Sequence, residues 1–247
     1  GGVMFEPRLA LASLSGESDA AGARAGAPYA GAAFLGGLAL DDPTREAART
    51  MVADRDREEF LPTDPFAFMR EQLAAVTDLP IRPGFNVRAT GPAPIRRAAR
   101  ICADHDAILE INAHCRQDEM CAVGAGESLL RNGERFAAQV AAAAETGATV
   151  SVKVRAEVPG VDLPRLAARL ADAGADAIHV DAMDSEAVVA DVVDATDAFV
   201  VANNGVRDAA TTREYLAYGA DAVSVGRPSD DPRVLSRVAE TVAEWFA

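Results

Sequence analysis

The stretches "AGADAIHV" at 173–180 and "YGADAVSV" at 218–225 repeat one joint along the chain. Each begins at the end of an alanine-rich helical segment, passes a glycine and enters a short apolar run. Glycine just past the last helical residue is the common left-handed helix cap, so Gly147, Gly174 and Gly219 predict three helix ends. A strand that follows each of these ends predicts βαβ units and a parallel sheet.

Short apolar, β-rich runs of this kind occur eight times, with helical patterns between most of them. Eight such units in 247 residues match the size of a (β/α)8 barrel. We therefore predict an α/β fold, a (β/α)8 TIM barrel, with residues 1–247 as a single domain. A doubly wound open sheet is the alternative. The predicted strands are 9–14, 32–37, 84–89, 107–112, 150–155, 177–182, 198–203 and 222–227.

The predicted helices differ in how clearly they begin and end. "DPTREAARTMVADRDREEF" at 42–60 predicts a helix with Asp42 as N-cap and Pro43 at the first helical position. "FLPTDP" at 60–65 predicts a loop inside an enlarged second unit. The glycine-rich segment 17–31 predicts only a poor helix, whereas 231–247 predicts one closing helix.

Composition limits the function classes. The net charge is -14, and Lys153 is the only lysine among 24 basic residues. An acid-rich, lysine-poor chain predicts a halophilic, archaeal-type cytoplasm, because high salt screens the repulsion between carboxylates. The chain has no basic stripe of the kind that nucleic-acid binding requires. "IRRAAR" at 95–100 has helical spacing and predicts a solvated face.

The cysteines and the apolar runs predict a cytoplasmic location. Cys102, Cys115 and Cys121 are odd in number and form no Cys-x-x-Cys pair, which predicts a reducing compartment and no metal site. We find no signal peptide and no apolar run near 18 residues, so we expect no membrane association. Residues 1–3 precede Met4 and are expected to be remnants of cloning.

Polar residues stand at the carboxyl end of nearly every predicted strand, where barrel enzymes carry their reactive groups. In "VSVKVR" at 150–155, side chains alternate, so Lys153 and Arg155 share one face. Two cations inside a barrel need an anionic or electron-rich ligand. The alternative is a lysine that extends to solvent at the barrel rim. The residues that this rule selects are Ser13, Asn86, Asn112, Lys153, Arg155, Asp181, Asn203, Gly226 and Arg227.

Two further motifs predict parts of a site. Cys115 follows the fourth strand in a loop, where a thiol can donate a proton or act as a nucleophile. "ANNGV" at 202–206 and "VGRP" at 225–228 end the last two strands. A phosphate site at these two loops is a common feature of barrels, with backbone N–H groups and Arg227 as donors.

Taken in order, these motifs resemble the FMN-binding barrel of the tRNA-dihydrouridine synthase family, in a distant archaeal-type branch. "LASLSGESD" at 11–19 resembles the family's L-A-P-M-A-G-x-T-D, and "INAHC" with "GAGESLL", within 111–130, resembles I-N-x-G-C-P … G-A-G-x-x-L-L. "VSVKVR" resembles V-T-V-K-x-R, and "VANNGV" and "VGR" resemble I-A-N-G-D-I and I-G-R-G. The likeness runs from about residue 9 to 230.

The resemblance implies a role for each matching position. It implies that Cys115 protonates the substrate carbon, that Asn112 holds the substrate base and that Arg155 lies near the substrate. It implies that Lys153 lies beside the N1/O2 side of the flavin, where it would stabilise negative charge. The positions implied for FMN are Ala12, Ser13, Leu14, Asn86, Lys153, His179, Asp181, Asn203, Gly205, Val206, Gly226 and Arg227.

The chain departs from the family pattern at several positions. Arg116 replaces the proline after the cysteine, and the loop 116–120 is acidic where the family tends to be basic. Asp181 aligns with the family's sixth-strand histidine, and His179 lies two residues earlier on the same face. Only 20 residues follow Arg227, so we expect no C-terminal RNA-binding domain, which leaves tRNA binding open.

The main hypothesis is an FMN-dependent oxidoreductase that acts on the C5=C6 bond of a uracil-type ring. Its expected partners are a pyrimidine-containing substrate, either a tRNA uridine or a free pyrimidine, and NAD(P)H or another electron donor. Three alternatives stay open. They are a dihydroorotate-dehydrogenase-like enzyme, a non-flavin phosphosugar lyase or aldolase with Lys153 as a Schiff base, and a non-catalytic FMN-binding paralogue.

Overall fold

Eight parallel strands close into a barrel in a computed structural model that describes residues 2–54 and 57–247. The strands are β1 (Leu9–Leu11), β2 (Ala32–Ala39), β3 (Arg82–Arg88), β4 (Ile108–Asn112), β5 (Thr149–Arg155), β6 (Ala177–Asp181), β7 (Phe199–Asn203) and β8 (Ala222–Val225). All eight predicted strands are confirmed. The pairing of β1 with β8 closes the sheet, so the open-sheet alternative is wrong.

Helices connect the strands in the order that βαβ units require. They are α1 (Ala20–Gly26), α2 (Asp42–Asp54), α3 (Pro65–Ala74), α4 (Pro92–Asp104), α5 (Asp118–Ala122), α6 (Gly133–Ala144), α7 (Leu163–Asp172), α8 (Val188–Ala195), α9 (Ala209–Ala217) and α10 (Pro232–Trp245). Short 3₁₀ helices cover Gly126–Arg131 and Arg227–Asp230. No helix among the described residues is both long and apolar enough to cross a membrane.

The predicted helix 42–60 needs two corrections. The N-cap is Asp41 instead of Asp42, because the Oδ1 of Asp41 accepts the Thr44 N–H at 3.3 Å. The helix ends at Asp54; positions 55 and 56 lie outside the described residues, and 57–59 are not helical. Residue 1 of the expected cloning remnant also lies outside the described residues.

Capping side chains explain two other differences from the prediction. In the glycine-rich first unit, α1 forms because the Oδ1 of Asp19 accepts the Gly22 N–H at 2.9 Å. Helix α3 was not predicted, although the Asp64 carboxylate caps it, with Pro65 at its first position. The three predicted glycine caps, at positions 147, 174 and 219, are confirmed, with φ of 80°, 111° and 91°.

The barrel interior is apolar at its amino-terminal end and polar toward its carboxyl-terminal end. Phe34, Ile108 and Phe199 belong to a buried apolar cluster at the first interior positions of their strands. Further along, His179 of β6 bonds to Glu110 of β4 and to Ser224 of β8, which are not neighbouring strands. These bonds span the interior, so a polar layer lies above the apolar one.

Strand β5 shows the alternation that the sequence predicts. Val152 and Val154 are buried in the large apolar cluster that joins the sheet to the helices. Lys153 and Arg155 face the other side and are 4% and 8% exposed. Both faces of the strand are therefore covered, as in other parallel barrels, and the two cations lie on the interior face.

Candidate functional site

A cavity of about 850 Å³ opens at the carboxyl ends of the strands. Its walls come from strand ends β4 to β6, from the loops that follow β1, β4, β6, β7 and β8, and from a segment after α2. This is the end of a barrel at which catalytic residues gather. The lining residues are Ser13, Leu14, Ser15, Glu17, Arg57, Glu58, Asn112, His114, Cys115, Arg116, Gln117, Lys153, Arg155, Asp181, Met183, Asn204 and Arg227.

Lys153 lines this cavity from the end of β5, and its ammonium group has no close partner. It makes no hydrogen bond or ion pair with any residue in 2–54 and 57–247. Burial lowers its pKa, although the carboxylates of Glu110 and Asp181 oppose that shift. A buried cation without a direct partner is costly, so its position suits a ligand that carries negative charge.

The side chain of Asn112 shapes the loop that carries Cys115. Its Oδ1 accepts the backbone N–H groups of His114 at 3.0 Å and Cys115 at 2.9 Å. Its Nδ2 donates to the Oδ1 of Asn86 at 2.9 Å. One of its two N–H donors makes no bond within the described residues, so Asn112 can both hold the loop and offer a donor to a ligand.

The Cys115 thiol lies against a buried guanidinium group. Cys115 is 7% exposed, and its Sγ lies 3.9 Å from the NH1 of Arg88. Arg88 is 1% exposed, forms an ion pair with Glu59 and donates from NH2 to the Gly37 carbonyl at 2.9 Å. Burial opposes the charge on Arg88, but Glu59 outweighs this effect and the pKa of Arg88 is raised. Arg88 therefore stays charged beside the thiol.

Beneath the cavity floor, Glu110 is held by three neutral hydrogen-bonding groups. Its carboxylate accepts from the Asn86 Nδ2 at 2.8 Å and the Ser151 hydroxyl at 3.0 Å, and it bonds the His179 Nδ1 at 2.8 Å. Burial opposes its ionisation, but these contacts and the nearby Lys153 lower the pKa of Glu110 to about 2. The layer therefore holds one negative charge beneath the lysine.

His179 closes the other side of this layer. Its Nε2 lies 2.7 Å from the Ser224 hydroxyl, which also accepts from the Asn203 Nδ2 at 2.7 Å. Burial and the nearby Lys153 lower the pKa of His179, against the effect of Glu110. The imidazole is 0% exposed and both of its nitrogens are engaged, so it is neutral and does not face the cavity.

His114 and Asp181 meet on the cavity wall, 67 residues apart in sequence. The His114 Nε2 lies 2.5 Å from the Asp181 Oδ2, and the Asp181 Oδ1 accepts the Met183 N–H at 3.1 Å. Burial, with Lys153 nearby, lowers the pKa of His114 despite Asp181. Burial opposes the ionisation of Asp181, but the contacts with His114 and Met183 and the nearby Lys153 together outweigh it and lower the pKa of Asp181. The pair is therefore a neutral imidazole that donates to a carboxylate.

Arg155 is tied to the cavity wall by Glu127. Its NH1 lies 2.9 Å from the Glu127 Oε2, while its buried Nε has no hydrogen-bond partner among the described residues. Glu127 in turn donates its backbone N–H to the Cys115 carbonyl at 2.8 Å. Arg155 is thus coupled to the same loop as the thiol.

The structure brings about half of the sequence-predicted residues to the cavity wall. Those that line it are Ser13, Leu14, Asn112, Cys115, Lys153, Arg155, Asp181 and Arg227. The others lie beneath or beside the lining: Ala12, Asn86, His179, Asn203, Gly205, Val206 and Gly226. Near the predicted phosphate loops, Asn204 lines the cavity instead of Asn203, with φ of 97°.

Sequence reasoning missed several functional positions. Glu110 alternates with Asn112 in "ILEIN", so the period of the strand could have identified it. His114 lies inside a quoted motif but carried no assignment. No local pattern connects Arg88 or Glu58 to the cavity, because the contacts that place them cross more than 25 residues.

The charge of the lining is opposite to that of the whole chain. Among the described residues that line the cavity, five cationic side chains face three carboxylates, although the protein carries a net charge of -14. The cations are Arg57, Arg116, Lys153, Arg155 and Arg227. A cationic cavity on an acidic protein indicates an anionic ligand, because the lining concentrates positive potential.

The sequence matches the family described as dihydrouridine synthase (Dus) over residues 85–245. An uncharacterised protein of Methanocaldococcus jannaschii is 26% identical over 235 residues, which cover 90% of this chain and 89% of that protein. The family match includes the strands that carry Asn112, Lys153 and Arg155.

Solved structures share the barrel. Morphinone reductase in complex with tetrahydroNAD aligns with a TM-score of 0.65 and 14% identity, covering 95% of this chain and 88% of that chain. 3-Hexulose-6-phosphate synthase from Salmonella typhimurium aligns with a TM-score of 0.58 and 14% identity, covering 96% and 99%. A variant of NCR from Zymomonas mobilis gives 0.59 and 14%, covering 96% and 91%. At this identity the likeness concerns the fold alone.

The cavity fits the flavin that this family uses. Its volume of about 850 Å³ lies in the range of cofactor sites. The buried ammonium of Lys153 has no close partner among the described residues and lines the cavity together with Arg155 and Arg227, which suits an electron-rich, anionic group. Membership of this family argues against the alternative of a non-flavin lyase or aldolase. The chain belongs to the dihydrouridine synthase family and is a flavin-dependent oxidoreductase with FMN as its cofactor.

Proposed function

We propose that this protein acts on the C5=C6 bond of a uracil-type ring. When bound, FMN supplies the hydride chemistry, and the protein supplies placement, charge and a proton. The observation that carries the proposal is that one cavity is lined by the thiol of Cys115 and by the ammonium of Lys153, which has no close partner in residues 2–54 and 57–247. Reduction of a carbon–carbon double bond needs both a hydride and a proton. Lys153 serves the first by stabilising the cofactor that delivers the hydride, and Cys115 serves the second by donating the proton.

Lys153 is the residue that we assign to the electron-rich side of the cofactor. A fixed cation in a cavity with little water stabilises negative charge more than the same cation in solvent. Burial lowers the pKa of Lys153, and the carboxylates of Glu110 and Asp181 oppose that shift. Of the other predicted cofactor positions, Ser13, Leu14 and Arg227 line the cavity, and we assign them as further cofactor contacts; Asp181 lines it as well but is bonded to His114. The positions that do not line it are Ala12, Asn86, His179, Asn203, Gly205, Val206 and Gly226.

Cys115 is the proposed proton donor to the ring carbon. Its backbone N–H is held by Asn112 at 2.9 Å, so the thiol has a defined position. Proton transfer leaves a thiolate, and the charged Arg88 lies 3.9 Å from that sulfur. A general acid placed in this way typically contributes about 10²- to 10⁴-fold to a rate.

Asn112 and Arg155 are the proposed substrate contacts. Asn112 offers an N–H donor to a carbonyl of the base, and Arg155 offers guanidinium donors beside it. The Glu127 carboxylate 2.9 Å from Arg155 restricts the guanidinium to the cavity wall. A uracil-type ring carries two carbonyl oxygens, so these donors match its acceptors.

The family favours a uridine in tRNA as the carrier of this ring, with NAD(P)H as the electron donor. The charge distribution favours a second candidate, a free pyrimidine nucleotide. At low salt a net charge of -14 repels a long polyanion, whereas the five cations among the described lining residues attract a single phosphate group at short range. We propose the cytoplasm of a high-salt cell as the setting, and the whole chain as one FMN-binding domain.

One set of measurements tests this function. We expect the protein, purified in molar KCl, to be yellow and to lose its flavin absorbance when NAD(P)H is added without oxygen. Reoxidation by unmodified tRNA, but not by uridine 5′-monophosphate, supports the RNA substrate, and the reverse result supports the free nucleotide. If neither ligand reoxidises the reduced protein, the proposed function is wrong, and a non-catalytic paralogue becomes the better explanation.

A further inference from the structure

The pair formed by His114 and Asp181 joins two of the positions at which this chain departs from the family motifs. His114 stands where the motif I-N-x-G-C-P has glycine, and Asp181 stands where the sixth strand has histidine. The structure brings the two side chains to 2.5 Å on the cavity wall. The cavity therefore contains an imidazole after all, but it comes from the loop after β4. This imidazole is hydrogen-bonded to the carboxylate that stands at the family's histidine position.

The bond to Asp181 decides which nitrogen of His114 carries the proton. The Asp181 carboxylate accepts at Oδ2, so the His114 Nε2 is the donor, and Nδ1 of the neutral ring is an acceptor. Nδ1 makes no hydrogen bond with any other described residue, and the ring is 37% exposed where it lines the cavity. The lone pair of Nδ1 is therefore available to a ligand.

The other acceptors near the floor of the cavity already hold hydrogen bonds. The Oδ1 of Asn112 accepts two backbone N–H groups, and the two oxygens of Asp181 accept from His114 and Met183. Lys153 and Arg155 are donors only. Nδ1 of His114 is an acceptor on the cavity wall that no described residue satisfies, and it lies beside the donors of Asn112 and Lys153 in the lining.

We propose that His114 determines specificity by accepting the N3–H of the substrate ring, with Asp181 as the positioning residue that fixes its tautomer. This inference rests on the proposed function, since it deepens the identity of the ligand at that site. A uracil-type ring presents one N–H between two carbonyls. Two donors that flank one acceptor match that edge of the ring. Cytosine has no N3–H, and a ring methylated at N3 cannot donate there, so neither matches the acceptor.

The test compares two ligands that differ only in this N–H group. Uridine 5′-monophosphate and 3-methyluridine 5′-monophosphate are titrated into the FMN-loaded protein, and binding is followed by calorimetry. We expect the unmodified nucleotide to bind at least about tenfold more tightly, because a methyl group leaves a polar acceptor unpaired. In His114→Leu we expect the ratio of the two affinities to fall close to one. His114→Gln keeps an acceptor and should retain part of the preference for the unmodified nucleotide.

Asp181→Asn tests the positioning role separately. An amide can pair with either tautomer, so we expect the affinity ratio of the two nucleotides to fall toward the value for His114→Leu, mainly through weaker binding of the unmodified nucleotide. A merely structural role would lower both affinities together. If His114→Leu keeps the wild-type ratio while turnover on a uracil-type ring persists, the inference alone is overturned. If wild-type protein neither distinguishes the two nucleotides nor turns over such a ring, the inference and the proposed function both fail.

Discussion

Glu110 and His179 share a hydrogen bond of 2.8 Å inside the barrel, where both side chains are 0% exposed. The bond joins β4 to β6 across the interior, and it lies directly beneath the lysine of the cavity. A buried acid and a buried base at this position couple the stability of the barrel to pH, because neither group has the same pKa in the folded and unfolded chain.

Acidification should destabilise the protein in two steps. The pKa of His179 is lowered below its ordinary 6.5, so the unfolded chain binds its proton first and stability falls as pH drops below 6.5. The pKa of Glu110 falls from 4.5 to about 2, so its contribution is present above 4.5 and is lost as pH falls toward 2. Thermal unfolding followed between pH 8 and pH 3 measures both steps.

A histidine outside the barrel interior provides the control for this prediction. His179→Gln should reduce the loss of stability just below pH 6.5, whereas His105→Gln, at the end of α4, should leave the pH profile as in the wild type. A wild-type melting temperature that stays constant from pH 7 to pH 4 would contradict the coupling.

Replacing the buried lysine should separate stability from flavin binding. In Lys153→Met an apolar chain replaces a cation that is 4% exposed and has no close partner among the described residues. We expect the flavin-free protein to gain about 1 kcal/mol in unfolding free energy. The same variant should bind FMN weakly, because the charge beside the ring is lost.

Denaturant unfolding with and without FMN measures both effects of Lys153→Met. Lys153→Arg keeps the charge but changes its shape, so it should recover part of the FMN affinity. Arg100→Met, at an exposed site in α4, is the control and should change neither quantity. A Lys153→Met protein that is less stable without flavin and still binds FMN normally would rule out the assigned role.

The barrel was predictable because its signals are local. Each strand is a short apolar run, several helices begin at an aspartate cap or end beside a glycine, and "VSVKVR" alternates with the period of a strand. The rule that barrel strands end at the reactive face then placed Asn112, Lys153 and Asp181 on one cavity wall. These predictions need only neighbours within about ten residues.

The missing parts of the site depend on contacts between distant segments. The His114–Asp181 bond spans 67 residues, and the Arg88–Glu59 ion pair spans 29. Sequence spacing cannot show that the Oδ1 of Asn112 turns back onto the following loop, because that contact depends on a rotamer set by the packing of Asn86. Side-chain pairing across the barrel mouth therefore needed the folded structure.

Removing the Cys115 thiol should abolish turnover and leave the flavin in place. In Cys115→Ala the fold keeps its Asn112 contact, since that contact uses the backbone N–H. We expect turnover to fall about 10²-fold or more, as for the loss of a general acid. The two measurements are the flavin absorbance per protein and steady-state turnover on whichever of tRNA and uridine 5′-monophosphate reoxidises the reduced protein.

Cys121→Ala is the matched control for the thiol. Cys121 lies in α5 and its Sγ contacts the Cys115 carbonyl at 3.6 Å, but it does not line the cavity. Its removal should leave turnover close to the wild-type value. Equal activity in Cys115→Ala and Cys121→Ala would mean that the proton comes from another group.

A methyl group added at Gly126 should disturb the loop that carries Cys115. Gly126 has φ of 58°, and a Cβ there would lie 2.4 Å from the Cys115 carbonyl oxygen. At Gly147, φ is 80° but no atom lies within 4 Å of such a Cβ. Gly147→Ala should thus cost only the conformational strain, about 1–2 kcal/mol, and Gly126→Ala should cost more.

The difference between the two glycine variants measures how tightly the Cys115 loop is packed. Urea unfolding gives the two costs, and the alkylation rate of Cys115 by iodoacetamide reports its position in the folded state. We expect that rate to change in Gly126→Ala and to stay constant in Gly147→Ala. Equal unfolding costs with unchanged alkylation would show that the loop yields easily at this contact.

The ion pair between Arg88 and Glu59 should stabilise the segment that covers the cavity. The two side chains are 1% and 0% exposed, so Arg88→Met leaves a buried carboxylate whose remaining cationic partner among the described residues is the partly exposed Arg57, at 3.0 Å. We expect a cost of about 3 kcal/mol. The double variant Arg88→Met with Glu59→Leu removes both charges and should be more stable than the single variant. Urea unfolding of all four proteins in this cycle gives the coupling energy, and strictly additive costs would show that the pair does not anchor the segment.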